Sequence, residues 1–495
     1  MNISLETGLL VSSILIFCSI LISKTGYRFG IPTLLMFLLA GMLFGSDGLG
    51  IQFHNISEAQ SIGTIALCII LFSGGMDTKW KDIRPVLYPG IALSTAGVLL
   101  TTFITGVFIY WISGWQHTEI GFSLLGSMLL AATMSSTDSA SVFNTLRTQR
   151  INLKNNLRPM LELESGSNDP MAYLLTIILI QCIQSGSVSG IEIASSLFLQ
   201  FLIGGLGGFL FGKLTVWVIN RINLRNGELY SILVLSFIFI IYCTVFLLKG
   251  NGYLAVYIAG MIIGNSNLFK KKEIGTFLNG MTWLLQVIMF LILGLLVNPH
   301  EMLGVTVTAV LVSLFMNFIA RPASVWLSLL PFGKKINNQS KTFISWVGLR
   351  GAAPIIFATY PAAAQVDGAE QIFNIVFFVT ILSLITQGMS LSWMARKLHL
   401  SEPASDNEEN FGIEIPDTVG SQLHEMLCTE QLLSHGNHIK DIPFPKGVLV
   451  MMIKRGENYI VPNGNVELKE GDILLLIAES HVETPTPPLA DTHRI

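Results

Sequence analysis

The residues of this chain best suited to chemistry lie inside its apolar stretches. In LESGSNDPMAYLLTIILI, Leu163 to Ile180, the acids Glu164 and Asp169 precede a run that stays apolar for most of a membrane thickness. On a helix, Ser165 and Asp169 stand four apart and share a face, while Glu164 and Asn168 form a second such pair about 100° round. One hydroxyl and one carboxylate therefore face a common point, flanked by an acid and an amide. An oxygen-rich cluster of this kind suits a hard monovalent cation, and its carboxylate can take a proton instead. A charge at the bilayer centre costs about 2.5–3.5 kcal/mol on insertion scales, so acids kept there mark function.

Two further places break the apolar pattern. In MSSTDSASVF, Met134 to Phe143, the polar run Ser135–Ser139 competes for backbone hydrogen bonds and marks an unwinding point. Unwound backbone at membrane depth frees carbonyls to coordinate a cation where it lines a wet cavity. Helix–helix contacts would explain the hydroxyls but would leave Asp138 charged in lipid. In VGLRGAAPII, Val347 to Ile356, Gly348, Gly351 and Pro354 weaken a helix around Arg350. Arg321, in FIARPASVW, is a second deep cation. Two intramembrane arginines demand counter-ions, and Glu164 is a candidate for one.

The elements that must position these residues follow from composition. Of 495 residues, 51% are hydrophobic and 12% charged, and the mean hydropathy is +0.61, which places the chain among polytopic membrane proteins. A net charge of −3 says nothing about partners, and no nucleic-acid signature is present. The cysteines Cys18, Cys68, Cys182, Cys243 and Cys428 lack metal-ligand spacing. The opening apolar run has neither a basic leader region nor a small-residue cleavage motif, so a retained first span is expected. Apolar segments number about thirteen at roughly 20 residues per span. Lys and Arg crowd the odd-numbered loops, which puts the N-terminus outside and the C-terminus in the cytoplasm. The expected fold is an all-α polytopic membrane protein with inverted repeats. Its fifth and twelfth spans are broken helices crossing at the midplane, each preceded at similar remove by a short apolar segment. Those segments, 31–45 and 252–264, share an Ala-Gly-Met core at Ala40-Gly41-Met42 and Ala259-Gly260-Met261.

After Lys397 the composition changes. Residues 1–397 form the expected transmembrane domain and 398–410 a linker, acidic from 401 onward. Residues 411–480 read as a small cytoplasmic α+β domain with strands at 447–454, 458–461 and 472–478, and 481–495 as a loose tail.

These residues resemble the monovalent cation/proton antiporters, in particular the branch with an Asn-Asp pair. The resemblance covers roughly 10–395 and rests on IPTLLMFLLAGMLFG, LFSGGMDTKW, STDSA, ESGSNDP and GLRGAAP, in family order. The tail stretch GVLVMMIKRGENYIVPNGNVELKEGDILLLIA resembles the C-terminal half of the regulator-of-K⁺-conductance module, a combination similar to bacterial potassium/proton antiporters. The resemblance implies that Asp169 binds ion or proton, with Asp138, Thr137 and Ser165 helping to coordinate the monovalent cation. It implies that Glu164 pairs with Arg321, that Asn168 fixes that arrangement, and that Arg350 offsets the negative helix ends. It also implies alternating access, one-for-one electroneutral exchange, a homodimer in the bacterial inner membrane and regulation by the tail. Two departures stand out. Ser139 occupies a position where many relatives carry proline, and Gly166-Ser167 one where bulky apolar residues are common, which bears on pocket width and ion choice.

Three rivals remain in view. A Na⁺/H⁺ antiporter would use the same oxygen ligands. A gated K⁺ channel carries a similar tail, but no TVGYG-like filter is present. An intramembrane aspartyl protease would need Asp138 and Asp169 to share a proton, which Asn168 and the arginines disfavour. No resident cofactor is expected; for the tail domain, a nucleotide-type ligand and a ligand-free dimerising role are both open.

Overall fold

The computed structural model describes residues 5–27, 32–114 without 52 and 54, 121–186 without 150, and 190–403 without 334 and 335. It also describes 423–478 without 435, 443, 445, 446 and 457. The expected linker from 404 and the loose tail lie outside these residues, as do the loop cations Arg28, Arg150, Lys334 and Lys335. The chain divides into two compact units, Met1–Glu402 and Pro403–Ile495.

The first unit is helical. In chain order its helices are α1 (Leu5–Tyr27), α2 (Thr33–Phe44), α3 (Ile56–Asp77), α4 (Trp80–Ile112), α5 (Leu124–Thr133), α6 (Ser139–Thr148) and α7 (Leu157–Ser185). There follow α8 (Gly190–Arg221), α9 (Leu229–Leu247), α10 (Gly252–Gly264), α11 (Lys271–Leu296) and α12 (Pro299–Ser328). The last three are α13 (Asn338–Trp346), α14 (Ala352–Ala363) and α15 (Ala369–Lys397). Among the described residues seven of these are long and apolar enough to cross a membrane, and α2, α5, α10 and α14 are among the shorter apolar helices. Helix α7 has the length but is not among the seven; its first half carries Glu162, Glu164, Asn168 and Asp169.

Local chemistry sets the ends. Ser123, Asn251 and Asn337 accept the N–H of Gly126, Leu254 and Ser340, and so cap α5, α10 and α13. Helix α7 begins after Asn155 and Asn156, both in the left-handed region that asparagine tolerates, and ends at Gly186 with φ 71°. Pro170 lies inside α7, and the Asn251 amide reaches across to donate to the Pro170 carbonyl at 2.7 Å.

The two Ala-Gly-Met cores show why the short helices correspond. Gly41 of α2 lies against Leu291 and Gly294 of α11, whereas Gly260 of α10 lies against Phe72 of α3. Each short helix thus packs, glycine inward, on the long helix that follows the other one in the chain. That exchange is what an inverted repeat produces. The long helices α4 and α12 repeat a second feature. Each opens with a single turn and a 3₁₀ step, then widens into a π turn at Leu93–Gly97 and Met316–Ala320.

The second unit holds a four-stranded antiparallel sheet. Its strands, β1 (Leu423–Leu427), β2 (Val448–Arg455), β3 (Asn458–Ile460) and β4 (Ile473–Ala478), lie in the order β1-β4-β2-β3. The three expected strands are found within a residue of their bounds, and β1 is an addition. Met426, Ile453, Leu474 and Leu476 form part of its core. Asp472 is almost wholly buried and accepts from Arg455 Nε at 2.8 Å and Nη2 at 2.7 Å, and from the Lys469 N–H at 2.9 Å.

Candidate ion-binding site at the helix crossing

The backbone unwinds at Ser135–Asp138, between α5 and α6, and again at Val347–Gly351, between α13 and α14. The two unwound segments touch: the Asp138 N–H donates to the Leu349 carbonyl at 2.8 Å. Contact this close needs Gly351, because a Cβ there would fall 2.7 Å from Asp138 Cβ.

Side chains of α7 hold the first break open. Ser165 donates to the Thr137 carbonyl at 2.8 Å and accepts from the Ser139 N–H at 3.0 Å, bridging the gap in the helix. Asn168 donates to Thr137 Oγ1 at 2.6 Å. Asp138 accepts from Ser141 at both N–H (3.2 Å) and Oγ (2.5 Å), which makes it the N-cap of α6. The cap and the Ser165 bridge keep the turn unwound with Ser139, not proline, at the start of α6. The spacing Asp138-x-x-Ser141 is that of an N-cap, a role in addition to the ligand expected of Asp138.

Asp169 lies opposite the same break and accepts a short hydrogen bond from the Ser136 hydroxyl. Ser136 was absent from the expected ion-binding set. The structure thus brings Asp169, Asp138, Thr137 and Ser165 together around one stretch of four unwound residues. The hydroxyl of Ser165 is already engaged on both sides by backbone, whereas Asp138 and Asp169 are, as whole residues, only partly buried.

The charge-compensating residues stand behind this cluster. Arg321 Nη2 lies 2.5 Å from Glu164 Oε1, and both side chains are at most 3% exposed. Gly348 leaves room for the Arg321 and Arg350 side chains on one side of the second break. Arg350 donates to the Gly348 carbonyl at 2.7 Å, and its N–H donates to Ser383 at 3.0 Å. A fully buried guanidinium thus sits in the unwound segment that follows the C-terminal end of α13, where carbonyls lack helical partners.

Access to Asp169 is one-sided. From Leu161 to Thr176 only Glu162, Gly166, Ser167 and Asp169 are not fully buried; Glu162, Gly166 and Asp169, at i, i+4 and i+7, share one helix face, and Ser167 lies about 100° further round from Gly166. Beyond Asp169, Pro170–Thr176 is buried throughout, and Tyr173 packs on Tyr253 and Tyr360 with ring centroids 4.8 and 5.4 Å away. An accessible stripe therefore leads to Asp169 from the Leu157 end of α7, and aromatic packing closes the other end.

Comparison with known proteins places this geometry in context. The family model described as "Sodium/hydrogen exchanger, transmembrane" matches residues 12–397, and the TrkA-C domain model matches 434–483. The chain is 38% identical over 483 residues to the K(+)/H(+) antiporter NhaP2 of Shewanella oneidensis, covering 96% of this chain and 82% of the relative. It is 40% identical over 401 residues to the K(+)/H(+) antiporter NhaP of Alkalimonas amylolytica, covering 81% and 68%. Among solved structures, the sodium proton antiporter MjNhaP1 from Methanocaldococcus jannaschii superposes with a TM-score of 0.68 at 23% identity, covering 80% of this chain and 99% of that one.

Proposed function

Because this chain belongs to the sodium/hydrogen exchanger family, we propose that it exchanges a monovalent cation, K⁺ in preference to Na⁺, for H⁺ by alternating access. The observation that carries this reading is Asp169 at the end of an accessible stripe, beside a capped helix break. One carboxylate there accepts either a cation or a proton in each half-cycle. Asp138, Thr137 and the freed carbonyls supply further oxygens, with Ser165 at the edge of the cluster. Glu164, Asn168, Arg321 and Arg350 hold the crossing and balance its charge. The two K⁺/H⁺ antiporters at 38% and 40% identity favour K⁺; Na⁺ remains the second reading, since both ions are held by oxygen.

Asn168 adds no titratable group next to Asp169, so inward and outward steps carry the same net charge and exchange is one for one. Moving one net charge across 100 mV is worth about 2.3 kcal/mol, so an unbalanced cycle would respond plainly to voltage. The protein sits in the inner membrane with its N-terminus outside and its C-terminus in the cytoplasm, as a homodimer serving pH and cation homeostasis. The accessible end of α7 then faces the cytoplasm. The C-terminal unit regulates exchange, and truncation after Leu400 leaves an exchanger with altered pH or ligand response.

The test is K⁺-driven proton movement in proteoliposomes. Wild type shows it at a rate independent of imposed potential, Asp169→Asn reduces it to background while remaining folded, and K⁺ drives it at lower concentration than Na⁺. Proton flux persisting in Asp169→Asn would overturn the assignment, and strong acceleration by voltage would return Asp138 or Glu164 to the proton carriers.

A further inference from the structure

Helix α15 lies against the second break, and it departs from α-helical geometry where it does so: Leu384–Gly388 is a π turn. Such turns inside α-helices recur at functional sites. A serine or threonine in a helix commonly donates its proton back to the carbonyl four residues earlier. Along α15, Thr380, Thr386 and Ser390 do this, onto Val376, Leu382 and Thr386 at 2.8, 2.6 and 2.6 Å. Ser383 does not. Its proton goes forward to Gln387 Oε1 at 2.6 Å, in the π turn, and its oxygen accepts from the Arg350 N–H at 3.0 Å. Both residues are at most 1% exposed.

The Arg350 N–H and the Leu349 C=O belong to one planar trans peptide unit, in which they point in opposite directions. That carbonyl is the group that accepts from the Asp138 N–H at 2.8 Å. A continuous chain of hydrogen bonds therefore runs from the backbone of Asp138, through the Leu349–Arg350 peptide and Ser383, to Gln387. Gly388, next in the π turn, has Leu349 Cδ2 3.6 Å from where a Cβ would stand, so the turn also packs on the residue that carries the carbonyl.

We infer that Ser383 and Gln387 are positioning residues for ion binding, acting through the Leu349–Arg350 peptide on the backbone of Asp138. The inference rests on the exchange reading above. In an unwound segment no helical ladder orients a peptide, so this one takes its orientation from its two hydrogen bonds, one on each side. Ser383 fixes it from α15. Gln387 takes the serine proton, so Ser383 presents an acceptor to Arg350, and linked bonds of this kind polarise and strengthen one another. At the far end of the chain Asp138 closes the first break and caps α6. A shift of the peptide therefore moves Asp138 relative to Asp169, and with it the spacing of the oxygens that meet the cation. A third irregular segment, outside both breaks, thus sets their register.

The experiment is a K⁺ titration of proton movement in proteoliposomes holding the full chain, with thermal unfolding of the same proteins in detergent. Ser383→Ala removes the acceptor of the Arg350 N–H. It lowers thermal stability, as loss of a support of the second break should, and raises the KM for K⁺ on the order of fivefold, with kcat changed less. Gln387→Ala keeps the serine but releases its proton, and raises KM by a smaller factor. Trp346→Phe separates positioning from packing. It deletes the 3.0 Å bond from Trp346 Nε1 to Ser390, a tie between α13 and α15 outside the chain, and so lowers stability without moving KM. An unchanged KM in folded Ser383→Ala overturns the inference. So does a rise in Trp346→Phe as large as in Ser383→Ala, since loosened packing alone would then account for both. If Ser383→Ala fails to fold, an unchanged KM in Gln387→Ala has the same force. Wild type without K⁺-driven proton movement would remove the exchange reading instead, so the two failures are told apart.

Discussion

Ser135–Asp138 and Val347–Gly351 both cross the unit as unwound backbone, yet they are built from opposite chemistry. The first is made of hydroxyls and an acid. It is held open by side chains from α7 and is partly accessible at Asp138. The second is made of glycine, apolar residues and an arginine, and every residue in it is buried. One hydrogen bond, Asp138 N–H to Leu349 O, joins them. A helix break can therefore present ligands or supply charge and close fit, and here each break does one of these. Substitutions at the first should impair ion handling in a folded protein, whereas those at the second and its supports should impair folding.

The largest effect is expected where buried charge is stranded. Glu164→Ala leaves Arg321 unpaired at 3% exposure, and breaking a buried pair costs about 3–5 kcal/mol. Thermal unfolding in detergent should show this loss, with exchange per folded molecule changed much less. A fully stable Glu164→Ala would detach the pair from the crossing.

Gly351→Ala comes next. Its methyl group would meet Asp138, and overpacking of this kind costs about 1–3 kcal/mol. Because the displaced atoms belong to the ligand-bearing break, this variant should lose both stability and K⁺ affinity. Loss of one without the other would show that the two breaks are not mechanically linked.

Ser165→Ala removes the bridge across the first break and leaves the Ser139 N–H without its partner. The cost is about 1 kcal/mol, comparable to loss of a helix cap. The fall in exchange rate should exceed what that stability loss explains. A rate in proportion to folded protein alone would make Ser165 purely a scaffold.

The smallest effect lies outside the membrane and serves as a control. Burial pushes the Asp472 carboxyl up, but the hydrogen bonds from Arg455 and the Lys469 N–H outweigh it and hold the carboxyl below its ordinary value. With its folded pKa depressed below an unfolded value of about 3.9, Asp472 contributes its full stability above that value. The contribution is lost as pH falls through the folded pKa. Amide protection factors at β2 and β4 should therefore hold steady down to about pH 4 and fall below it, and Asp472→Asn should flatten that fall. No change in exchange activity at neutral pH is expected from this residue.

The sequence by itself determined the membrane class, because 51% hydrophobic residues in long runs leave no soluble alternative. It also located both breaks, since clustered Ser, Thr, Asp and Gly weaken a helix wherever they fall. It placed Glu164 and Asp169 on different faces of α7, since those faces follow from 3.6 residues per turn. Only the tertiary structure decided which partner each residue meets. The Glu164–Arg321 contact joins residues far apart in the chain, and nothing local selects Arg321 over Arg350. Ser136 reaches Asp169 because the unwound backbone turns it there, an orientation that no periodicity encodes once the helix has ended. Asp138, expected as a ligand, also closes on Ser141 as a cap once the chain has unwound before it. The packing of the Tyr257 ring of α10 over Gly166 was equally illegible, because a glycine in sequence records that space exists and not which side chain from another helix fills it.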